Sequence, residues 1–227
     1  MKGFFVTGTD TEVGKTVVAA GLVHALAARG LRVAGMKPVA SGGRETPAGL
    51  RNEDAEMLIA AANVAGDYAE INPYCFAPPI APHIAAAEAG ITIEADRILA
   101  AAKTLASRSD ALVVEGVGGW RVPLAPDFDV AALAAALGLP VILVVGMRLG
   151  CLNHALLTAE SIRASGCTFA GWVANEVDPA MERREENFVT LKAALAAPCL
   201  GRIPHLDNPT PAAVAAQLHL PGVCDEF

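Results

Sequence analysis

The sequence predicts a doubly wound α/β fold, in which a mostly parallel sheet carries helices on both faces. Short apolar runs alternate along the chain with alanine-rich segments of helical length, an order that is typical of successive βα units. The apolar runs carry Val, Ile, Leu or Phe at consecutive positions, as strands buried on both faces do. No linker and no fixed-period repeat interrupts this order, so residues 1–227 are expected to form a single domain.

Six segments have the character of buried strands and eight have the character of helices. The strands are predicted at Gly3–Thr7, Leu31–Lys37, Ala111–Glu115, Val141–Val145, Phe169–Ala174 and Cys199–Ile203. The helices are predicted at Lys15–Arg29, Glu53–Asn63, Pro82–Ala89, Glu94–Ser107, Val130–Leu137, Asn153–Ser165, Ala180–Leu195 and Pro211–Gln217. The Pro- and Asn-rich segment Asn72–Pro82 is predicted to be an irregular insertion.

One long uncharged stretch, from Val130 to Met147, raises the question of a membrane span. Its 18 residues reach the lower limit for a spanning helix. However, Gly138 and Pro140 divide it into an alanine-rich helix former and a β-branched run. We therefore interpret it as a helix followed by a buried strand, and expect no membrane partner.

Composition excludes several further classes of protein. The net charge of −7 and the pI of about 5.2 argue against nucleic acid and anionic membranes as partners. With 53% hydrophobic and 18% charged residues, the chain is not disordered. The five cysteines, the last of them Cys224, are odd in number and lack CxxC spacing, so neither a disulfide framework nor a structural zinc site is expected. The start of the chain does not resemble a signal peptide, and a cytoplasmic location is expected.

The loop after the first predicted strand has the character of a phosphate-binding loop. It reads Gly8-Thr9-Asp10-Thr11-Glu12-Val13-Gly14-Lys15-Thr16, with five residues between the two glycines rather than the usual four. Loop amides and the helix N-terminus would face phosphates. Lys15 would neutralise phosphate charge and the Thr16 hydroxyl would ligate Mg²⁺. The predicted fold is therefore of the P-loop NTPase type.

Three further charged residues are predicted to reach the same crevice, because strand carboxyl ends line ligand sites in open α/β sheets. Glu115 ends the third predicted strand and precedes a glycine-rich run, Lys37 ends the second, and Asp54 opens a helix. A carboxylate there would serve the metal, and a lysine would stabilise charge on a transferred phosphoryl group. The alternatives are a water-facing Glu115, a solvated Lys37, and an Asp54 that only complements the helix dipole.

Together these residues resemble the dethiobiotin synthetase family over nearly the whole chain, about residues 4–204. The resembling motifs are FVTGTDTEVGKT (Phe5–Thr16), GMKPVASG (Gly35–Gly42), GLRNEDA (Gly49–Ala55), NPYCFAPPIAPHIAA (Asn72–Ala86), LVVEGVGGW (Leu112–Trp120), PVILVVGMRLGCLNHALLT (Pro140–Thr158) and GWVANEVDP (Gly171–Pro179). The resemblance implies an enzyme that uses ATP and Mg²⁺ to carboxylate 7,8-diaminononanoate with CO₂ and close a cyclic urea. It also implies a homodimer with the site at the subunit interface.

The resemblance assigns a role to each matching position. The implied catalytic residues are Lys37, Lys15 and Thr11, and the implied metal ligands are Thr16, Asp54 and Glu115. The implied nucleotide-binding residues are Glu12, Val13, Gly14, Lys15, Thr16, Val17, Asp54, Glu115, Gly116, Val117, Gly118, Asn175, Glu176, Pro204, His205 and Leu206. The implied substrate-binding residues are Glu12, Lys37, Ser41, Gly150, Cys151, Leu152 and Asn153. Asn175 would read the adenine with its amide, and the segment Gly150–Asn153, expected just before a helix, would bind the distal carboxylate in the neighbouring subunit's site.

Two other classes of P-loop protein are alternatives. A ParA/MinD-like ATPase switch shares the fold type but carries an additional lysine early in the loop, where this chain has Thr9, Asp10, Thr11 and Glu12. A cobyrinate-amidating ligase needs a glutamine-cleaving domain, for which 227 residues leave no room. Both comparisons favour the synthetase interpretation.

Overall fold

A computed structural model describes residues 1–220 of the chain. The predicted domain runs to Phe227, and its last seven residues, with Cys224, lie outside the described part. The strands are β1 (Gly3–Gly8), β2 (Val33–Met36), β3 (Val39–Ser41), β4 (Arg44–Thr46), β5 (Gly49–Arg51), β6 (Tyr74–Phe76), β7 (Ala111–Glu115), β8 (Pro123–Ala125), β9 (Phe128–Asp129), β10 (Val141–Gly146), β11 (Phe169–Asn175) and β12 (Cys199–Ile203). The helices are α1 (Lys15–Ala27), α2 (Glu53–Ala61), α3 (Tyr68–Ile71), α4 (Pro82–Glu88), α5 (Ala95–Arg108), α6 (Val130–Leu137), α7 (Cys151–Ala164), α8 (Arg184–Ala194) and α9 (Pro211–Ala215).

The six predicted strands form one central sheet in the order β12-β11-β10-β1-β7-β2. Every neighbouring pair in it is parallel. Their carboxyl ends therefore lie along one edge, with β1 at the point where the order reverses, and this is where open α/β sheets bind ligands. The predicted doubly wound α/β fold is confirmed.

The core has two parts, one on each face of the sheet, because successive side chains of a strand point to opposite faces. In β1, Phe4 and Val6 pack with α1 on one face, whereas Phe5 packs on the other face with α5, α6 and α7. All six residues of β10 are buried. This explains why apolar residues follow one another in the strand sequences.

The structure corrects several expected elements. The segment Asn72–Pro82 is not wholly irregular, because it contains β6, which pairs in parallel with β3. The short helix α3 and the β4–β5 and β8–β9 hairpins were not predicted. Two helix starts move, because each is preceded by a residue with positive φ. The helix expected from Asn153 begins at Cys151, after Gly150 at 97°, and the one expected from Ala180 begins only after Arg183 at 52°.

None of the helices formed by residues 1–220 combines the length and the apolar character needed to cross a bilayer.

Candidate active site

The loop between β1 and α1 lies at the carboxyl edge of the sheet. Gly14 caps α1 with φ 84°, a left-handed conformation that glycine adopts without strain. No side chain among the described residues caps this helix, so its first amide groups face the space above the loop. The amide Nδ2 of Asn175, at the end of β11, donates to the carbonyl of Val13 at 2.9 Å. The loop is thereby tied to a second strand of the sheet.

Lys15 is buried at the start of α1. Its Nζ donates to the carbonyl of Asp10 at 2.9 Å, and the Asp10 carboxylate pairs with Arg148 at 2.6 Å. Burial, together with the nearby charge of Lys37, lowers the pKa of Lys15 to about 8. Anionic phosphate beside this ammonium would favour its protonated form.

We expect the affinity for ATP to fall as the pH rises above about 8, because Lys15 then has to take up a proton when phosphate binds. The phosphate groups themselves titrate near a pKa of about 6 and so stay fully charged in this range. Titration calorimetry in two buffers of different ionisation enthalpy should show proton uptake at about pH 9 and little at about pH 7. Equal affinity at both pH values, without proton uptake, would contradict a lowered Lys15 pKa.

Lys37 lies between two carboxylates from different elements. Its Nζ is 2.8 Å from Asp54 Oδ2 and 2.5 Å from Glu115 Oε1. Thr16 Oγ1 donates to the same Glu115 oxygen at 2.9 Å. Lys37 is 3% and Glu115 0% exposed, so the alternatives of a solvated lysine and a water-facing glutamate are wrong. Asp54 is only partly buried.

The charges in this cluster depend on one another. Burial alone would favour loss of the Lys37 proton, but Glu115 and Asp54 outweigh burial and raise the pKa of Lys37. Burial raises the pKa of Glu115, although Lys37 opposes the change. Burial also acts to raise the pKa of Asp54, but the ammonium of Lys37 and a hydrogen bond from Thr16 lower it on balance. Lys37 is therefore a cation between the two carboxylates.

The oxygen atoms around Lys37 fit a hard divalent cation. Thr16, Asp54 and Glu115 offer only oxygen, which Mg²⁺ prefers. Glu115 Oε2 is buried without a hydrogen-bond partner among the described residues and is free to accept a further ligand. The position of Lys37 Nζ shows that positive charge is accommodated between the two carboxylates. Nowhere in residues 1–220 does a group of three or more His, Cys, Asp or Glu side chains form a metal site.

These groups line one cavity of about 680 Å³. It brings together the predicted site residues Thr11, Glu12, Gly14, Lys15, Thr16, Val17, Lys37, Ser41, Asp54, Glu115, Val117 and Gly118. It also has an apolar wall that sequence reasoning missed, formed by Met57, Pro79, Ile80, Ala81, Pro82 and Val122. Most of these wall residues lie in the Pro-rich motif Asn72–Ala86, which is part of the family resemblance. That motif was the sequence signal from which the wall could have been predicted. An apolar wall facing two lysines suits a ligand with both an aliphatic and an anionic part.

Two predicted residues lie beneath the cavity and contribute backbone groups. The Val13 side chain is buried, and its carbonyl accepts from Asn175. The Gly116 carbonyl accepts from Lys37 Nζ at 3.2 Å.

A second cavity, of about 200 Å³, adjoins the loop on the side of β11. Its lining includes the predicted nucleotide-binding residues Val17, Asn175, Glu176, Pro204, His205 and Leu206. Val177, Ile203 and Pro209 complete it and were not predicted. The Asn175 amide nitrogen donates one of its two N–H groups to Val13, which leaves its second N–H and its oxygen for a base in this arrangement.

Two arginines bind the Glu176 carboxylate, so this side chain is not available to bind a base. Its carboxylate accepts from Arg184 and from Arg202, each at 2.7 Å. Its backbone N–H donates to the Ile203 carbonyl at 2.9 Å, which ties β11 to β12 at the cavity. Glu176 therefore contributes shape and backbone groups to the second cavity.

The segment Gly150–Asn153 lies outside both cavities of its own chain. It forms the first turn of α7, where Cys151 is buried and Asn153 is exposed. The preceding Leu149 is 94% exposed. The predicted carboxylate-binding segment is thus directed toward solvent rather than toward the Lys37 cluster of the same chain.

Comparisons with solved structures show the fold class. The chain is similar to the MinD cell division protein of Aquifex aeolicus, with a TM-score of 0.57, 13% identity, and coverage of 100% of this chain and 91% of that one. It is also similar to a ParA family ATPase from Chlorobium tepidum TLS, with a TM-score of 0.56, 14% identity, and coverage of 100% and 95%. At these identities the likeness extends to the fold alone.

Comparisons with sequences are more specific. A family model described as an AAA domain matches residues 2–213. The chain is 57% identical over 221 residues to the ATP-dependent dethiobiotin synthetase BioD of Pseudomonas aeruginosa strain PAO1, covering 97% of each chain. It is 53% identical to the protein of the same name from Aromatoleum aromaticum strain EbN1, covering 97% of this chain and 98% of that one. Taken with the P-loop and the lysine–carboxylate cluster, these identities show that the chain belongs to the ATP-dependent dethiobiotin synthetase family.

Proposed function

We propose that this chain converts 7,8-diaminononanoate, CO₂ and ATP into dethiobiotin, ADP and phosphate. The observation that carries the proposal is the placement of Lys15 and Lys37 in one cavity with an apolar wall, in a chain 57% identical to a named synthetase. Two ammonium groups suit an anionic phosphoryl group in transfer. We further propose that residues 1–227 act as a single catalytic domain in the cytoplasm.

In the proposed reaction, one substrate amine adds to CO₂, loses a proton and becomes a carbamate. A carbamate oxygen then attacks the γ-phosphorus of ATP, the bond to the bridging oxygen breaks, and ADP leaves. The product is a mixed carbamic–phosphoric anhydride. The second amine attacks its carbonyl carbon, the C–O bond to phosphate breaks, and the cyclic urea closes with release of phosphate and a proton.

The residues of the cavity have complementary roles in this proposal. Lys15 and the loop amides bind the phosphates, while Lys37 contacts the carbamate and the transferred phosphoryl group. Thr11 orients the same groups from the loop, and Glu12 and Ser41 bind the diamine. Ser41 Oγ is buried and has no hydrogen-bond partner among the described residues, so it is available to a ligand.

Thr16, Asp54 and Glu115 would hold Mg²⁺, which when bound screens phosphate charge and favours attack on phosphorus. The two carboxylates of this set are those that Lys37 pairs with, so they would serve both its ammonium and the cation. Val17, Asn175, Glu176, Pro204, His205 and Leu206 would enclose the adenine, to which Asn175 offers its amide oxygen.

We propose that the active form is a homodimer in which Gly150–Asn153 of one chain binds the distal carboxylate of the diamine in the other chain's cavity. The segment is outside its own chain's cavities, no side chain among the described residues caps α7, and the N–H groups at the start of a helix suit a carboxylate. The exposed Leu149 and Leu157 on and beside α7 give this surface the apolar character of an interface.

Replacing Asn153 by alanine should raise the KM for the diamine about tenfold and change the KM for ATP little, since Asn153 lines neither cavity of its own chain. The adjacent His154→Ala is the control, because His154 is equally exposed on the same helix turn. Steady-state kinetics with each substrate varied in turn gives both constants. An equal loss for diamine and ATP would contradict the proposed role.

The proposed function is tested by supplying diamine, bicarbonate and ATP and identifying the product by mass spectrometry. Phosphate release should require both the diamine and CO₂ or bicarbonate. ATP turnover that is the same without diamine would refute the proposal and favour an ATPase switch of the ParA/MinD type, to which the chain is similar in fold only.

A further inference from the structure

We infer that Tyr68 and Asn72 are positioning residues, which hold Lys37, Ser41 and Asp54 in place through a hydrogen-bond network that includes Asn52. The inference rests on the proposed function, in which those three residues contact the diamine, the phosphoryl group and the metal. Tyr68 and Asn72 line neither cavity described above, and their hydrogen bonds within residues 1–220 are to residues outside the phosphate loop.

The first part of the network fixes the backbone of Lys37. The Lys37 N–H donates to the Ile71 carbonyl at 2.8 Å. The Lys37 carbonyl accepts from Asn72 Nδ2 at 2.6 Å, and the same Nδ2 donates to the Tyr74 carbonyl at 3.1 Å. Both backbone polar groups of Lys37 are therefore held by Ile71, the last residue of α3, and by Asn72, which follows it.

The second part joins this segment to α2. The Tyr68 hydroxyl donates to Asn72 Oδ1 at 3.0 Å and accepts from the backbone N–H of Asn52 at 2.7 Å. Burial raises the pKa of Tyr68 to about 12, so the hydroxyl keeps its proton and remains a donor. The Arg51 guanidinium lies 4.0 Å above the centre of the ring and holds its orientation.

The third part reaches two more site residues through Asn52. Its Oδ1 accepts from the backbone N–H of Asp54 at 3.1 Å, which caps α2 and fixes Asp54 in the first turn of the helix. Its Nδ2 donates to the Ser41 carbonyl at 3.3 Å. One chain of hydrogen bonds thus runs from Lys37 through Asn72, Tyr68 and Asn52 to both Asp54 and Ser41.

The network is suited to positioning because its two asparagines are buried, Tyr68 is partly buried, and its members are satisfied. Asn72 is 3% and Asn52 6% exposed, and buried polar groups that are fully bonded hold a single arrangement. Lys37 has to meet a reacting phosphoryl group from β2, while Asp54 approaches the same point from α2. A displacement of about 1 Å at a reacting centre can lower the rate about 100-fold.

The chain offers a matched pair of tyrosines for the test. The hydroxyl of Tyr74, like that of Tyr68, accepts a hydrogen bond from the backbone N–H of a residue that caps a helix. For Tyr74 this residue is Glu94, at the start of α5, and the distance is 3.0 Å. Arg97 lies 4.6 Å above the Tyr74 ring, as Arg51 does above Tyr68. The Tyr74 hydroxyl contacts no residue of the proposed site. Tyr68→Phe and Tyr74→Phe therefore each remove a hydrogen bond from the backbone N–H of a helix-capping residue, and Tyr68→Phe also removes the donor to Asn72. Only the bonds of the Tyr68 hydroxyl belong to the network.

With wild-type protein active on diamine, bicarbonate and ATP, Y68F should lower kcat about tenfold, the equivalent of about one lost hydrogen bond. The KM for ATP should change less than about twofold, because Lys15 and the loop amides bind the phosphates. Y74F should keep the wild-type kcat, although urea unfolding should show that it too is destabilised by the loss of its helix-cap hydrogen bond. Equal kcat values for Y68F and Y74F would overturn the inference.

A second variant, Asn72→Asp, keeps the side-chain shape and the acceptor for Tyr68 but replaces the amide donor by a carboxylate oxygen facing the Lys37 carbonyl. It should lower kcat about 100-fold if folded, as circular dichroism will show. Wild-type kcat in folded N72D would also overturn the inference. If N72D does not fold, the comparison of Y68F with Y74F tests the inference by itself. Failure of the proposed function looks different, because wild-type protein itself would then form no product.

Discussion

Replacing Lys37 by glutamine should lower kcat for dethiobiotin formation by about 100- to 1,000-fold, the usual cost of removing one group that stabilises charge in a transition state. Lys37 is the cation held within 2.8 Å of Asp54 and 2.5 Å of Glu115. Glutamine keeps a hydrogen-bond donor of similar length but lacks the charge. Burial then favours protonation of Glu115, so the fold should persist.

The KM for ATP should change little in K37Q, because Lys15 and the loop amides remain. Lys103→Gln is the control, since it removes the same charge from an exposed position on α5 and should leave kcat unchanged. Steady-state kinetics and circular dichroism are the measurements. A K37Q variant that retains more than about a tenth of the wild-type kcat would show that Lys37 is a structural counter-ion only.

Replacing Gly14 by alanine should weaken ATP binding by at least about 100-fold. A Cβ atom there would lie 2.1 Å from Asn175 Nδ2, well inside contact distance. Either the loop or Asn175 has to move, and the bond from Asn175 to the Val13 carbonyl breaks. The loop amides then no longer share the geometry that phosphate requires. The left-handed backbone at Gly14, with φ 84°, adds about 1–2 kcal/mol of strain for alanine.

Gly30→Ala is the control that separates the effect of the steric clash from the effect of backbone strain. Gly30 has φ +87°, and a Cβ there would meet nothing within 4 Å. Both variants should lose about 1–2 kcal/mol in the free energy of unfolding from backbone strain, but only G14A should lose ATP affinity. Titration calorimetry and urea unfolding give the two quantities. If G14A bound ATP as tightly as G30A does, the loop would have to tolerate a Cβ, contrary to the structure.

The central sheet could be predicted because each of its strands is buried on both faces, which leaves an unbroken apolar run such as Val141–Val145. The two-stranded sheets could not be predicted from the sequence. A strand of two or three residues, such as β6 or β9, has no period to detect and is fixed by contacts distant in sequence. The helix starts at Cys151 and Arg184 were misjudged because they depend on the backbone conformation of the preceding residue.

The candidate site likewise contains residues that the sequence could predict and contacts that it could not. Lys15 and Thr16 follow from a local motif, and Lys37 and Glu115 from their places at the ends of neighbouring strands. The roles of these residues remain predictions, although the structure gathers them within one cavity. The link from Asn72 to Lys37 spans 35 residues, and no spacing rule in the sequence indicates it. The hydrogen bond from Asn175 Nδ2 to the Val13 carbonyl spans 162 residues, and no spacing rule in the sequence indicates it either.

The order of the central sheet leaves β2 and β12 at its margins, and unpaired margins of sheets invite strand addition and aggregation. Both margins are partly covered by the chain itself. At β2, Val33 bonds to the Asn63 side chain and to the Val64 backbone. At β12, Gly201 bridges to Leu218, and the His219 N–H donates to Leu200. A second copy of this chain is therefore expected to associate through helices and loops, without extending the β-ladder.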